Sequence, residues 1–246
     1  MALGVIPARL GSTRFPGKVL HPLAGKPMMQ WVWERARQST AIRDLVIATD
    51  SEAVRQAGEA FGARVVMTDA RHESGTSRVA EAAGGCPHNI VVNIQADEPL
   101  VDPVLLDRLV HALRSTPWAH VATPALTLLD HDRLVNPNVV KLVMAHDHRV
   151  LYFSRGAIPH GFSPQPRFGA TWEHQGIYAF RRSALEAWIS SPPSPLEDAE
   201  RLEQLRLMDA GMAFIAVIAS DPSPGVNTIE DIPLVEQLLR RQCREQ

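Results

Sequence analysis

The sequence predicts an α/β protein: a mainly parallel sheet covered by helices on both faces, three layers in all, with an inserted antiparallel subdomain. Three observations predict it. Apolar runs rich in β-branched residues alternate with amphipathic stretches as far as about Ser115. Two of those runs end abruptly in polar, charged loops, as strands do at the carboxyl edge of an open sheet. Between Ala119 and Phe180, by contrast, strand patterns follow one another with no helix between them.

The elements follow in order. Leu3–Ile6 is short and continuously apolar, as a strand buried on both faces requires. Helical spacing then runs over Pro27–Ser39, strand pattern over Leu45–Thr49, helix over Ser51–Phe61 and strand over Arg64–Met67. Thr76–Ala83 and Pro103–Arg114 read as helices on either side of the strand Ile90–Ile94. Strands are next expected at His120–Pro124, Val139–Met144, Val150–Phe153 and Gly176–Phe180, interrupted by the Pro-rich loop His160–Pro166. Helices Arg182–Ile189 and Pro195–Ala210, the strand Ala213–Ala219 and a last helix, Ile229–Arg241, complete the chain. Start signals support several helices: Asp102 before Pro103, Ser194 before Pro195, and Thr228 with Asp231 three residues later. The organisation expected is a single domain, 1–246, with an inserted lobe at about 125–190.

The first strand runs straight into Pro7-Ala8-Arg9-Leu10-Gly11-Ser12-Thr13-Arg14-Phe15-Pro16-Gly17-Lys18. Glycines let a backbone approach a polyanion, and Arg9, Arg14 and Lys18 supply opposing charge, so the loop reads as a phosphate cradle. It is not a Walker A loop, because five residues separate Gly11 from Gly17 and Val19 follows Lys18. Nor does it carry the three spaced glycines of a dinucleotide fingerprint.

Two further clusters lie on the expected sheet edge. In Val91-Val92-Asn93-Ile94-Gln95-Ala96-Asp97-Glu98-Pro99 an apolar strand again ends in carboxylates. Magnesium on nucleotide phosphates needs only one or two protein carboxylates, which suits Asp97, while Gln95 suits a base or ribose. Ser74-Gly75-Thr76-Ser77-Arg78 opens a helix, where free backbone amides accept negative charge or base acceptors.

Composition narrows the class. With a formal net charge of −2 over 246 residues, no global basic field favours nucleic acid, and phosphate binding must be local. Cys86 and Cys243, the two cysteines, have no metal or redox spacing, as suits a reducing compartment. The ten histidines lack the paired spacing of a zinc site. No apolar run approaches the ~20 residues that span a bilayer, and a strand beginning at Leu3 leaves no room for a cleaved leader. A cytoplasmic protein without a membrane partner is expected.

With these clusters in place, the chain resembles the 3-deoxy-manno-octulosonate (Kdo) cytidylyltransferases, the CMP-Kdo synthetase family of lipopolysaccharide biosynthesis. The resemblance runs through Ile6–Arg9 to Lys18, Gly25–Met28, Ala48–Asp50, Ser74–Thr76 with Arg78, Gln95–Pro99 and Asn136–Asn138 with Lys141. It continues through Tyr152–Arg155, His174–Tyr178, Ser194–Glu197, Leu202–Arg206 and Pro224–Val226. The resemblance implies a Rossmann-like nucleotidyltransferase sheet and transfer of CMP from CTP to Kdo, releasing pyrophosphate. It implies that Arg9, Arg14 and Lys18 grip the triphosphate, with Arg14 and Lys18 beside the leaving pyrophosphate. Ser74, Gly75, Thr76 and Arg78 would surround the cytosine, near Gln95. Arg155, His174, Tyr178, Glu203 and Gln204 would line the pocket for the acidic sugar. Asp97 would hold Mg2+, and a homodimer built through the inserted lobe is implied as well.

The chain departs from the family at two places. Asn227 stands in Gly225-Val226-Asn227-Thr228 where the family has Asp, which leaves Asp97 and a neutral amide oxygen as the implied metal ligands. Asp221, Glu230 and Asp231 are the neighbouring carboxylates that could substitute. Ala96 stands where the family prefers Gly, adding a methyl at a site of close backbone approach. Two alternatives accompany the main reading: a cytidylyltransferase for a close analogue such as amino-Kdo or another acidic sugar, and a nucleotide-binding homologue with impaired catalysis.

Overall fold

The structure, a computed structural model, describes residues 1–11, 15–72, 74–161, 169–220 and 223–242. It divides into two compact units, residues 1–107 with 223–246, and residues 108–222.

The first unit contains β1 (Ala2–Pro7), β2 (Pro22–Leu23), β3 (Lys26–Pro27), α1 (Met28–Ala36), β4 (Ile42–Thr49), α2 (Glu52–Ala60), β5 (Arg64–Met67), α3 (Gly75–Ala82) and β6 (Ile90–Asn93). The helix α4 (Pro103–Ser115) then carries the chain into the second unit. Strands β5, β4, β1 and β6 lie side by side in that order, every pair parallel. All six residues of β1 are buried, as a continuous apolar run between two covered faces demands. The chain forms α1 one residue later than its pattern suggests, because Pro27 is extended and pairs with Pro22 in a small hairpin. It leaves helix after Ala36, and the Asp107 carboxylate receives the Ser39 hydroxyl and the Thr40 and Ala41 N–H groups that follow.

The second unit is built on β7 (Val121–Thr127), α5 (His131–Val135), β8 (Lys141–Met144), β9 (Val150–Ser154), β10 (Trp172–His174), β11 (Tyr178–Arg181), α6 (Arg182–Ser190), α7 (Pro195–Glu200), α8 (Gln204–Asp209) and β12 (Phe214–Ala219). Here most pairings are antiparallel. β11 and β10 share one side of β7, β12 lies parallel on the other, and β10, β8 and β9 continue outward. Phe153, Phe180, Phe214 and Leu142 fill its interior. The fold is α/β as expected, parallel in the first unit and largely antiparallel in the second.

The helix expected over Pro195–Ala210 is two helices. Ser194 caps α7 through a reciprocal box with Glu197, but Arg201 is left-handed, at φ 52°, and stops it. A non-glycine residue in that conformation costs about 1–2 kcal/mol, so its surroundings must hold it there. The segments β2, β3, α5 and β10 are too short for periodicity to reveal.

The chain ends in the first unit. Thr228 and Asp231 form the expected box, over a 3-10 turn (Ile229–Asp231) that opens α9 (Ile232–Gln242). Val235 and Leu239 of α9 pack with Leu23, Met28, Leu100 and Val226 in one buried cluster. That cluster fixes the segment before α9 to the residues after β6.

Candidate active site

In the first unit the predicted nucleotide residues gather at the carboxyl ends of parallel strands. β1 and β6 run in register, Val5 opposite Asn93, and the Ile94 N–H donates to the Val5 carbonyl at 2.9 Å. Their following loops therefore leave the same edge. Arg9 lies exposed at the exit of β1. The Gly17 N–H donates to the Leu10 carbonyl at 3.0 Å and closes the loop's base, a turn that needs the positive φ of 70° that glycine allows. Arg14, the third expected cation, lies outside the described residues.

The loop's closing residue meets the second cluster. Lys18 Nζ lies 2.5 Å from Asp97 Oδ2, a contact between positions 79 apart in sequence. The lysine side chain is 11% exposed and the aspartate's 28%. A third segment joins them from near the C-terminus: the Val226 N–H donates to the Asp97 main-chain carbonyl at 2.8 Å. Gly225 makes this approach possible, since a Cβ there would stand 3.0 Å from Glu98 Oε1 and 3.1 Å from the Asp97 carbonyl oxygen.

The start of α3 is drawn to the same edge. A Cβ on Gly75 would lie 3.4 Å from Pro7 Cγ and 4.0 Å from Gln95 Oε1. Ser74 caps the helix by accepting the Ser77 N–H at 3.1 Å. Gln95 Nε2 donates to Asn93 Oδ1 at 3.2 Å, and Asn93 Nδ2 donates to Thr76 Oγ1 at 3.4 Å. Arg78 behaves differently from its neighbours. Its side chain is 2% exposed, paired with Asp50 at 3.2 Å and donating to Thr68 Oγ1 at 2.5 Å. The guanidinium thus ties α3 to the ends of β4 and β5, a role that gives Asp50 a purpose the sequence alone did not assign.

The donor set can be tested for magnesium. Asp97 offers a carboxylate, and Asn227, next to Val226, a neutral amide oxygen. Of the neighbouring carboxylates, Asp231 Oδ2 accepts the Asn227 and Thr228 N–H groups, each at 2.8 Å. Thr228 holds the exposed Glu230 carboxyl below its usual range by hydrogen bonding. Both serve the helix start, and Asp221 lies outside the described residues. Among the described residues no group of three or more His, Cys, Asp or Glu is placed to hold a metal. One carboxylate and one amide oxygen fit a hard cation that keeps its waters and leans on phosphate, which is magnesium's habit. They do not fit zinc.

In the second unit, His174, Tyr178 and the start of α8 come together. The His174 and Tyr178 rings lie 5.4 Å apart, and Phe153 meets His174 edge-on at 5.0 Å. Thr123 Oγ1 lies 2.9 Å from the Ile177 carbonyl and 3.0 Å from His174 Nε2. A hydroxyl has one proton; given to Ile177, it leaves oxygen lone pairs to accept Nε2–H. Desolvation pushes the imidazole down to about 3, so it is neutral, and with the Thr123 proton on the Ile177 carbonyl its own proton sits on Nε2. Burial, and then the negative charge of Glu203, push the Tyr178 phenol well up. Gln204 is buried at the first turn of α8.

Arg155 is held by the main chain. It donates to the carbonyls of Glu200 at 2.8 Å, Pro137 at 2.9 Å and Arg201 at 3.3 Å. Two residues that the sequence reading gave no role stand behind it. Glu200 accepts the Ser154 hydroxyl at 2.6 Å and the Arg155 N–H at 2.9 Å. The wholly buried Lys141 donates to the carbonyls of Asn136, Val139 and Arg155. A lysine inside the apolar run Val139–Met144 was the signal for the latter; Glu200 left none.

Residues 3–214 match the family model described as Cytidylyltransferase. The chain is 45% identical over 240 residues to the 3-deoxy-manno-octulosonate cytidylyltransferase of Solibacter usitatus, covering 97% of this chain and 94% of that one. It is 41% identical to the 8-amino-3,8-dideoxy-manno-octulosonate cytidylyltransferase of Shewanella halifaxensis, over 96% and 97% of the two chains. A solved structure of CMP:2-keto-3-deoxy-manno-octonic acid synthetase complexed with CTP superposes with a TM-score of 0.93 at 38% identity, covering 98% of this chain and 99% of that one. An edge of parallel strands that gathers Lys18, Asp97 and Gly225–Asn227, on a chain alike from end to end, places this nucleotidyltransferase in the cytidylyltransferase family, among the 3-deoxy-manno-octulosonate cytidylyltransferases.

Proposed function

We propose that the chain transfers CMP from CTP to 3-deoxy-D-manno-octulosonate, giving CMP-Kdo and pyrophosphate and activating the sugar for lipopolysaccharide synthesis. The observation that carries the reading is the meeting of Lys18, Asp97 and the Gly225–Asn227 segment at the ends of β1 and β6. Three stretches far apart in sequence are brought together where an open sheet binds its ligands. The first unit takes the nucleotide. Arg9, Arg14 and Lys18 bind the triphosphate and stabilise the charge that develops on the leaving pyrophosphate. When CTP binds, Lys18 exchanges the Asp97 carboxylate for phosphate oxygen. Ser74, Gly75, Thr76 and Gln95 recognise the base, with Arg78 fixing the helix that presents them. Asp97 and Asn227 hold Mg2+, which when bound supplies positive charge to the phosphate oxygens.

The second unit takes the acceptor sugar. Neutral His174, with its proton on Nε2, offers Nδ1 as an acceptor for a sugar hydroxyl. Tyr178 keeps its phenolic proton and donates. Glu203 and Gln204 complete the hydroxyl contacts, and Arg155 supplies the positive charge that faces the sugar carboxylate. The anomeric hydroxyl attacks the α-phosphorus in line and pyrophosphate leaves, so positioning and charge stabilisation carry the rate without a covalent protein intermediate. We further propose a cytoplasmic homodimer; no helix among the described residues is long and apolar enough to cross a membrane.

The likeness to the Shewanella enzyme favours a second acceptor, the 8-amino analogue. Pyrophosphate release with CTP, UTP and ATP against Kdo, 8-amino-Kdo, a sialic acid and glucose 1-phosphate tests all of this. Turnover with CTP and Kdo is expected. Turnover with glucose 1-phosphate but not with Kdo would overturn the reading.

A further inference from the structure

We propose that Glu200 is a positioning residue for the acceptor sugar: it sets the corner between α7 and α8 from which Glu203 and Gln204 project, and locks Arg155 to that corner. The inference rests on the functional reading above, in which Arg155, Glu203 and Gln204 belong to the sugar side.

Glu200 is the last residue of α7 and reaches the end of β9 with both carboxylate oxygens. Oε1 accepts the buried Ser154 hydroxyl at 2.6 Å, and Oε2 accepts the Arg155 main-chain N–H at 2.9 Å. Its main-chain carbonyl takes Arg155 Nε at 2.8 Å, and the next carbonyl, that of Arg201, takes Nη2 at 3.3 Å. Glu200 and Arg155 thus grip each other twice, side chain to main chain in each direction. The grip falls beside the left-handed Arg201, a non-glycine residue at φ 52°. Three residues on, Glu203 stands close enough to Tyr178 for its charge to act on the phenol.

Two supports limit how the corner can move. Lys141, buried under the end of β9, holds the Arg155 carbonyl together with those of Asn136 and Val139. Arg206 of α8 makes a paired bridge to Glu197 of α7 at 2.7 and 2.8 Å and lies over the Trp188 ring. These two contacts fix the two helices to each other and to α6. Glu200 fixes the corner, through its carboxylate, to the end of β9 and to Arg155 just beyond it. The carboxylate accepts from a hydroxyl at one oxygen and from a main-chain N–H at the other. Glutamine can keep the amide contact with its oxygen and donate to Ser154 Oγ with its nitrogen. Alanine keeps neither.

The test compares unaltered enzyme, Glu200→Ala, Glu200→Gln and Ser154→Ala by pyrophosphate release, varying CTP and Kdo separately and recording melting temperature. Glu200→Ala is expected to raise the KM for Kdo about tenfold or more, the size of one lost charge-assisted contact, with the KM for CTP within about twofold. Glu200→Gln should restore the Kdo KM to within about threefold of the unaltered value. If Glu200→Ala is unfolded at the assay temperature, Ser154→Ala carries the test, with a Kdo KM raised about threefold and CTP unaffected. Equal rises in both KM values, or an unchanged Kdo KM in the folded variant, overturn the inference and leave the functional reading standing. Absence of turnover with any acidic sugar in the unaltered enzyme overturns that reading instead.

Discussion

Replacing Asp97 with asparagine keeps its shape and removes one charge of the Lys18–Asp97 pair. The atoms lie 2.5 Å apart, with the lysine 11% and the aspartate 28% exposed. Exposed pairs contribute about 0.2–1 kcal/mol, whereas unpairing a fully buried pair costs about 3–5 kcal/mol. Burial here lies between these cases, so Asp97→Asn should cost about 2 kcal/mol, most of it the penalty of leaving the largely buried Lys18 unpaired. For a chain of this size that lowers Tm by roughly 4–8 °C. Adding Lys18→Met removes the stranded charge, and the double variant should recover part of the loss. Urea unfolding of the four proteins without ligand then gives a coupling of about 1–2 kcal/mol. A coupling below about 0.3 kcal/mol would refute the idea that these groups hold each other in the resting protein. The same substitution removes the carboxylate proposed for magnesium, so turnover should fall at least about 100-fold. Turnover within about threefold of the unaltered enzyme would refute that half.

Other consequences are as direct. His174 is held down to about 3, below an unfolded value of 6.5, so between these values the unfolded chain binds a proton that the folded one does not. Stability therefore falls as the pH drops below 6.5, by about 1.6 kcal/mol between pH 6.5 and 5.0 from this residue; urea unfolding should show His174→Gln losing that much less, and an equal pH dependence would contradict the assignment. Gly225→Ala places a methyl 3.0 Å from Glu98 Oε1 and 3.1 Å from the Asp97 carbonyl oxygen. It should cost about 1–3 kcal/mol and raise the magnesium requirement, both measurable on purified protein. Asn227→Asp restores a second negative ligand and should lower the magnesium concentration for half-maximal turnover about fivefold or more; an unchanged requirement would remove Asn227 from the metal site.

Particular residues show what could be read in advance. Thr228 with Asp231 forms the box its spacing announced, and Ser194, expected to start a helix before Pro195, does so in a box with Glu197, because a cap is an interaction over three residues. The break at Arg201 was illegible. Nothing in Glu200-Arg201-Leu202 prefers a left-handed turn; there the Arg201 and Leu202 N–H groups return to the Glu197 carbonyl, and Arg155 and Glu200 bond to each other beside it. Arg78 reads as a cation at a helix start, yet it finds Asp50 at the end of another strand.

By itself, then, the sequence determined the alternation of strands and helices, the loops that end β1 and β6, and the residue types those loops offer. Apolar period, caps and turn residues act over a few positions, so their outcome is written locally. Tertiary structure alone decided the partners: Lys18 on Asp97, Gly225–Asn227 against Asp97–Glu98, Arg155 on the α7–α8 corner. A charged side chain reaches only a few ångströms. Which opposite charge or carbonyl lies within that reach depends on how distant segments pack, and no local pattern encodes it.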